Sequence, residues 1–263
     1  MPMRASTSRL RGAFIGIFAF FSLFTACAEG PDLAAIRGAL ASAALPEEAR
    51  ASIKARIEAG SAAFERLLEE ALADRKADPM LLYRVDKAKA LPKGYAPGDL
   101  VGLDGTGLSV SRPGHKLRAS ALAALEAMSA AARREGVDLL VSSSYRSYDY
   151  QVEVFARNVK ELGREKAETV SATPGHSQHQ LGEAIDFGSI TDAFAKTKAS
   201  RWLQAKARGY GFSLSFPKDM SGVTGYAWES WHYRYIGRAA AALEGEYFEG
   251  VQQYLMLFLD ELR

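Results

Sequence analysis

Ser177-Gln178-His179-Gln180-Leu181-Gly182-Glu183-Ala184-Ile185-Asp186 and, further along, Glu229-Ser230-Trp231-His232 are the stretches whose reading decides this chain. There are four histidines, His115, His176, His179 and His232, and both stretches hold one among other polar functional types. Two imidazoles and one carboxylate form a nitrogen and oxygen donor set that suits zinc, and three protein ligands leave a fourth tetrahedral position for water. An open position belongs to a catalytic site, where a nearby glutamate can shuttle a proton. Taken singly, each histidine also fits a hydrogen-bonded structural residue.

Working outward, residues 180–188 read as a strand, 192–208 as a helix ending at Gly209, 211–216 as a strand, and 231–236 as a strand of alternating aromatics. Upstream, 117–135 is an Ala/Leu helix closed by Gly136, and 137–141 is a buried strand. Ser147 caps a helix running to Leu162, with Gly163 just past its end. Residues 79–116, with Pro79, Pro92, Pro97, Pro113 and several glycines, read as extended segments and turns, and 238–262 as a helical tail. Helices and short strands without regular βαβ alternation predict an α+β fold: a small, mostly antiparallel sheet flanked by helices.

Before Asp78 the chain is rich in Ala, Glu and Arg, and Ile53, Ile57, Phe64, Leu67, Leu68 and Leu72 recur at helical spacing. That predicts an amphipathic helix with Pro46 at its first turn, preceded by a shorter helix over 32–44. Sustained heptads are lacking, so this N-terminal helical extension reads as a spacer that stands off the remainder or packs against it, not as a coiled coil. At the N-terminus Arg4, Arg9 and Arg11 precede an apolar run over 13–24, small residues and Cys27, in the order of a secretory signal. The run falls short of the ~20 residues a spanning helix needs. Leu23-Phe24-Thr25-Ala26-Cys27 resembles a bacterial lipobox, with Phe24 where Leu is usual; the alternative is an ordinary signal peptide with an incidental cysteine. The expected organisation is therefore 1–26 signal peptide with Cys27 as the lipidated new N-terminus, 27–78 helical spacer and 79–263 catalytic domain.

Composition excludes other classes. With 263 residues, 48% hydrophobic and 24% charged, the chain builds one sizeable core and is neither disordered nor collagen-like. Lys+Arg 33 against Asp+Glu 31 gives +2, and removing residues 1–26, with three arginines and no acid, turns this to −1. No nucleic-acid partner is expected. One cysteine forms no internal disulfide.

Ser177-x-His179-x-x-Gly182-x-Ala184-x-Asp186 followed by Glu229-x-x-His232 resembles the signature of the peptidase M15 family, and more narrowly the M15B group. That group comprises the VanY-type D-alanyl-D-alanine carboxypeptidases and their L,D-carboxypeptidase relatives, LAS-type zinc peptidases of the Hedgehog/DD-peptidase-like fold. The flanks agree: Ser143-Ser144-Tyr145-Arg146-Ser147-Tyr148-Asp149-Tyr150-Gln151, Pro174-Gly175-His176, Tyr233-Arg234-Tyr235-Ile236-Gly237, and an opening stretch Leu91-Pro92-Lys93-Gly94-Tyr95. The resemblance covers residues 79–250. It implies one zinc ion on His179, Asp186 and His232, Glu229 as general base, and Arg146 engaging the substrate near the reacting group.

Gln151, Ser177 and Tyr233 correspond to substrate-contacting positions. Gln178, where Glu is frequent in the family, and Trp228 are departures, and neither is expected to touch a ligand. Gly182 is read as a tight turn between ligands, His176 as a rim residue, and His115 as an exposed loop residue.

Together with the leader and Cys27, the resemblance implies an exported, lipid-anchored D,D-carboxypeptidase facing the periplasm or cell exterior, which removes the C-terminal D-Ala from peptidoglycan stem peptides. An L,D-carboxypeptidase acting on tetrapeptide stems is the alternative within the class. Outside it stands a non-catalytic cell-wall-binding lipoprotein.

Overall fold

Asp32 starts the first described helix: its carboxylate accepts the backbone N–H of Ala35 at 2.6 Å and opens α1 (Leu33–Ser42). The computed structural model describes Met1 and residues 32–262, so the signal segment and Cys27 lie outside the described residues. After Pro46, α2 (Glu47–Ala59) carries Glu47 and Glu48 in its first turn, where the helix dipole favours them, and α3 (Ser61–Ala77) follows. The single helix expected after Pro46 is thus interrupted at Gly60. A Cβ there would lie 3.0 Å from the Tyr247 hydroxyl oxygen, and that hydroxyl donates to the Gly60 carbonyl at 3.1 Å.

Extended chain leads to β1 (Leu100–Gly102), which pairs antiparallel with β2 (Lys116–Arg118), and β2 runs directly into α4 (Ala119–Arg134). The next strand, β3 (Val141–Ser143), begins where the predicted one ended. Ser147 caps α5 (Tyr148–Leu162), accepting the Tyr150 N–H at 3.1 Å, and Gly163 with φ 78° separates it from α6 (Arg164–Val170). Then come β4 (Ala184–Phe187), α7 (Lys198–Lys206), β5 (Phe212–Leu214), the single turn α8 (Ser221–Thr224) and β6 (His232–Tyr235). The helix expected over 192–208 is shorter because Thr197 caps α7 from within, its hydroxyl accepting the Ser200 N–H at 3.0 Å. The expected tail is two helices, α9 (Arg238–Tyr247) and α10 (Gln252–Glu261), divided where Glu249 and Gly250 adopt φ of 59° and 72°.

The main sheet is antiparallel, in the order β3-β4-β6-β5. Alternation along its two central strands decides everything downstream. Ile185 and Tyr233, partners across β4 and β6, join Phe187, Phe212, Leu125 and Trp202 in a core between the sheet and helices α4 and α7. Asp186 and His232, the next pair, emerge on the opposite face. A second apolar cluster unites α1, α2 and α3 with α9 and α10. Its centre is the fully buried Phe64, with the Tyr247 ring centroid 5.0 Å away edge-on and that of Phe258 at 6.2 Å. Residues 33–77 therefore share a core with the C-terminal helices.

Candidate active site

His179 stands on one 3₁₀ turn, residues 178–181, closed by Gly182 in the left-handed conformation at φ 75°. Glycine is required there twice over: by that φ, and because a Cβ would meet Leu100 Cδ2 at 2.9 Å and Arg118 Cγ at 3.0 Å. The His179 ring is buried, and its Nδ1 donates to the Ser144 carbonyl at 2.7 Å. With the proton on Nδ1, Nε2 presents a bare lone pair.

That lone pair faces Asp186. His179 Nε2 lies 3.2 Å from Asp186 Oδ2, and His232 Nδ1 lies 2.9 Å from Asp186 Oδ1. The two rings meet edge-on, with centroids 4.9 Å apart. One donor atom from each of the three residues falls within 4.8 Å of the others, and all three residues are buried. A buried carboxylate between two imidazoles, one bearing a nitrogen without a hydrogen-bond partner, is a set of hard and borderline donors that fits zinc.

The electrostatics agree. Burial, reinforced by the Arg146 guanidinium, pushes His179 down to about 4, so the ring is neutral at physiological pH, as a ligand must be. Burial alone would raise Asp186, but the two imidazoles outweigh it and hold the carboxyl well below the usual carboxylate range. Glu229 behaves oppositely: burial and then the nearby Asp186 charge raise it well above its ordinary value, with Arg146 opposing. Its Oε2 is 3.6 Å from His232 Nδ1.

Arg146 follows β3, and its backbone N–H donates to the His179 carbonyl at 3.2 Å while Nη2 lies 3.9 Å from Asp186 Oδ2. The buried Nε has no hydrogen-bond partner. One turn into α5, Gln151 donates from Nε2 to the Ala172 carbonyl at 2.7 Å and leaves its buried Oε1 unpaired. Arg146, Gln151, Ser177, Glu229 and the three convergent residues all line one groove of about 800 Å³. His176 lines it too, tied through Nδ1 to the Asp86 carbonyl at 2.7 Å.

Three expectations need correction. Tyr233 does not border the groove: it alternates with His232 along β6, so its ring points into the core, 5.9 Å from Phe187 and edge-on. His115 is buried, not exposed, its Nδ1 3.0 Å from Ser144 Oγ and its Nε2 3.3 Å from Ser111 Oγ. Gln178 does touch a convergent residue, with Oε1 3.1 Å from His232 Nε2. Ser215 and Gln252, which complete the surroundings of Gln178, carried no sequence signal, whereas Ser144 lay inside a motif already quoted.

The sequence profile of VanY, D-alanyl-D-alanine carboxypeptidase, matches residues 114–238. The putative carboxypeptidase YodJ of Bacillus subtilis (strain 168) is 39% identical over 189 residues, 66% of this chain and 68% of that protein. Among solved structures, the LdcB LD-carboxypeptidase superposes with a TM-score of 0.59 at 37% identity, covering 66% of this chain and 88% of that one. The vancomycin-resistance D,D-pentapeptidase VanY, a mutant solved in complex with Zn(II), gives a TM-score of 0.57 at 31% identity, covering 67% and 99%.

Proposed function

The chain belongs to the VanY family of D-alanyl-D-alanine carboxypeptidases, and from that premise we propose that it is a zinc-dependent D,D-carboxypeptidase removing the terminal D-Ala from peptidoglycan stem peptides. The observation that carries this reading is the convergence of His179, Asp186 and His232 at the groove wall, with Glu229 and Arg146 at the same point. The Zn(II) complex of the related D,D-pentapeptidase supports both the metal and the stereochemistry.

In this reading His179 Nε2, the Asp186 carboxylate and His232 Nδ1 hold the ion. Zinc bound there supplies Lewis acidity, polarising the scissile carbonyl and acidifying water. Glu229 is the general base. Burial raises its proton affinity, and it takes a proton from water at its carboxylate and returns it to the leaving amine. Arg146 presents guanidinium donors to an anion in the groove, either the substrate's terminal carboxylate or the oxyanion that develops during attack. Gln151 offers its unpaired Oε1 to a substrate N–H, and Ser177 adds a hydroxyl beside His179.

The likeness to LdcB supports a second reading, cleavage of the L,D bond of tetrapeptide stems. Mass spectrometry of defined penta- and tetrapeptide muropeptides treated with the zinc-loaded protein, with and without chelator, separates the two. Loss of one D-Ala from the pentapeptide alone is expected; shortening of the tetrapeptide alone transfers the assignment to the L,D reading, and no cleavage of either refutes both.

Action on the cell wall places the enzyme outside the cytoplasm. The basic segment, the apolar run and Cys27 support a cleaved leader and a lipid anchor as its route and tether. Among the described residues no helix is long and apolar enough to cross a membrane. Cys27→Ala should release the protein from the membrane fraction, and continued sedimentation with membranes would refute the lipid anchor.

A further inference from the structure

His232 meets a different polar group at each ring nitrogen. Nδ1 faces Asp186, whereas Nε2 faces Gln178 Oε1 at 3.1 Å. The same amide oxygen accepts the Ser215 hydroxyl at 2.7 Å, and Gln178 Nε2 donates to Gln252 Oε1 at 3.1 Å. All four residues are buried: His232 at 3% exposure, Gln178 at 8%, Ser215 at 3% and Gln252 at 2%. No bulk water stands ready to replace a lost partner, so the orientation of each amide has energetic consequences.

The direction of this chain decides whether His232 can keep its proton on Nε2. A neutral imidazole has one N–H and one lone pair. Both nitrogens face oxygens, Nδ1 the Asp186 carboxylate at 2.9 Å and Nε2 the Gln178 amide oxygen at 3.1 Å, so Gln178 supplies the acceptor that lets the ring's single proton sit on Nε2 while an ion takes the Nδ1 lone pair beside Asp186. Were the Gln178 amide reversed, its NH₂ would point at Nε2, call for the lone pair there, and place the proton on the nitrogen that must be bare. Gln252 opposes reversal of Gln178 alone, because its Oε1, 3.4 Å from the Ser215 hydroxyl, accepts the Gln178 NH₂ and would otherwise meet a second carbonyl oxygen.

Gln252 is the first residue of α10, beyond the stretch matched by the family profile, and α10 is held by the core it shares with α1, α2 and α3. We propose that Gln178 and Gln252 are positioning residues that keep the His232 proton on Nε2 and its Nδ1 free for the ion, which makes the C-terminal helix a working part of the metal centre. The inference rests on the zinc-site reading above.

Zinc affinity, measured by chelator competition on the full-length protein, tests it. Gln178→Leu, which removes the acceptor, should weaken zinc binding by roughly 10–100-fold, as loss of a partner behind a ligand typically does. Gln178→Glu should bind zinc at least as tightly as the wild type, because a carboxylate has no donor face to present. Gln252→Leu should weaken binding several-fold alone, and by much less in the Gln178→Glu background, a dependence that a purely structural role would not produce.

A measurement on the wild type covers the case in which Gln178→Leu fails to fold. In the zinc-loaded, ¹⁵N-histidine-labelled protein, His232 should show a slowly exchanging Nε2–H and metal at Nδ1. Coordination through Nε2, or a folded Gln178→Leu protein binding zinc within about two-fold of the wild type, overturns the proposal. If His232→Ala loses zinc while Gln178→Leu retains it, only the positioning role fails; if His232→Ala itself retains zinc, the metal-site reading fails with it.

Discussion

Asp186 and His232 are directly opposed across β4 and β6, Cα partners in the ladder, and this register brings Asp186 Oδ1 within 2.9 Å of His232 Nδ1. A one-residue slip would set Asp186 opposite Trp231 or Tyr233 and turn one strand's polar groups into the core. The sheet therefore pre-organises two of the three donors before any ion arrives. His232→Ala removes one donor without changing the register. Because ~10–16 kcal/mol of apparent zinc affinity is typically shared among few ligands, this substitution should weaken binding by several hundred-fold or more. Metal analysis of the purified variant after dialysis checks this, and one retained equivalent of zinc would refute the ligand assignment.

Glu229 should separate binding from chemistry. Its Oε2 stands 3.6 Å from His232 Nδ1, beside the convergent trio and outside it. Glu229→Gln keeps the shape and removes the proposed base, so zinc content should be unchanged while turnover falls by roughly 10²–10⁴-fold. Zinc loss in that variant would make Glu229 a ligand and leave the base unassigned.

In the proposed mechanism Arg146 serves either a ground-state carboxylate or a developing oxyanion, and the substrate terminus distinguishes them. If it clamps the carboxylate, the wild type should cut an amidated stem peptide poorly, and Arg146→Lys should lose most of its preference for the free acid. If it serves the oxyanion, the variant should slow both substrates alike. Equal wild-type rates on the two peptides would contradict a carboxypeptidase and indicate an endopeptidase.

Of the proposed ligands, His179 and Asp186 are legible together because they lie within one turn and one strand, whereas His232 joins them only through the resemblance, and the α+β class follows from element lengths and turn residues. Tyr233 departs from its expected place at the groove because period two along β6 puts it on the opposite face from His232. His115 and Gln178 depart from expectation for another reason. Their partners, Ser144 and Gln252, come from distant segments, and a hydrogen bond closed by tertiary packing leaves no periodic trace in sequence. The break at Gly60 was missed for the same reason, since its cause is a tyrosine on α9.

His115 also gives the protein a pH dependence. Burial, and secondarily Arg112, holds its pKa below the ordinary 6.5. Below pH 6.5 the unfolded chain takes up a proton that the folded chain refuses, so this group's contribution to stability is complete above that pH and declines as the pH falls through it. Other titrating groups cancel when the wild type is compared with His115→Gln. The difference in Tm between the two metal-free proteins should shift against the wild type between pH 7.5 and 5, and a constant difference would place an unperturbed histidine at 115. By NMR, the His179 ring in the same metal-free protein should remain neutral until about pH 4.

Arg234 sets the stability of the sheet face that also carries the site. It is wholly buried on β6, with Nε donating to Glu183 Oε2 at 3.2 Å and Nη2 to the Leu81 and Tyr83 carbonyls at 2.9 and 3.0 Å. Glu183, also fully buried, accepts a further bond from Arg118 Nη1 at 3.0 Å, and Arg118 in turn reaches Asp99. Arg234→Met deprives the buried carboxylate of one of its two cations and orphans two carbonyls, which should cost ~3–5 kcal/mol in urea unfolding. Pairing it with Glu183→Leu removes the uncompensated charge and should recover a substantial part of that loss. A cost below about 1 kcal/mol for the single variant, or no recovery in the double, would mean that packing, not the ion pair, fixes β6 to the segment around Leu81.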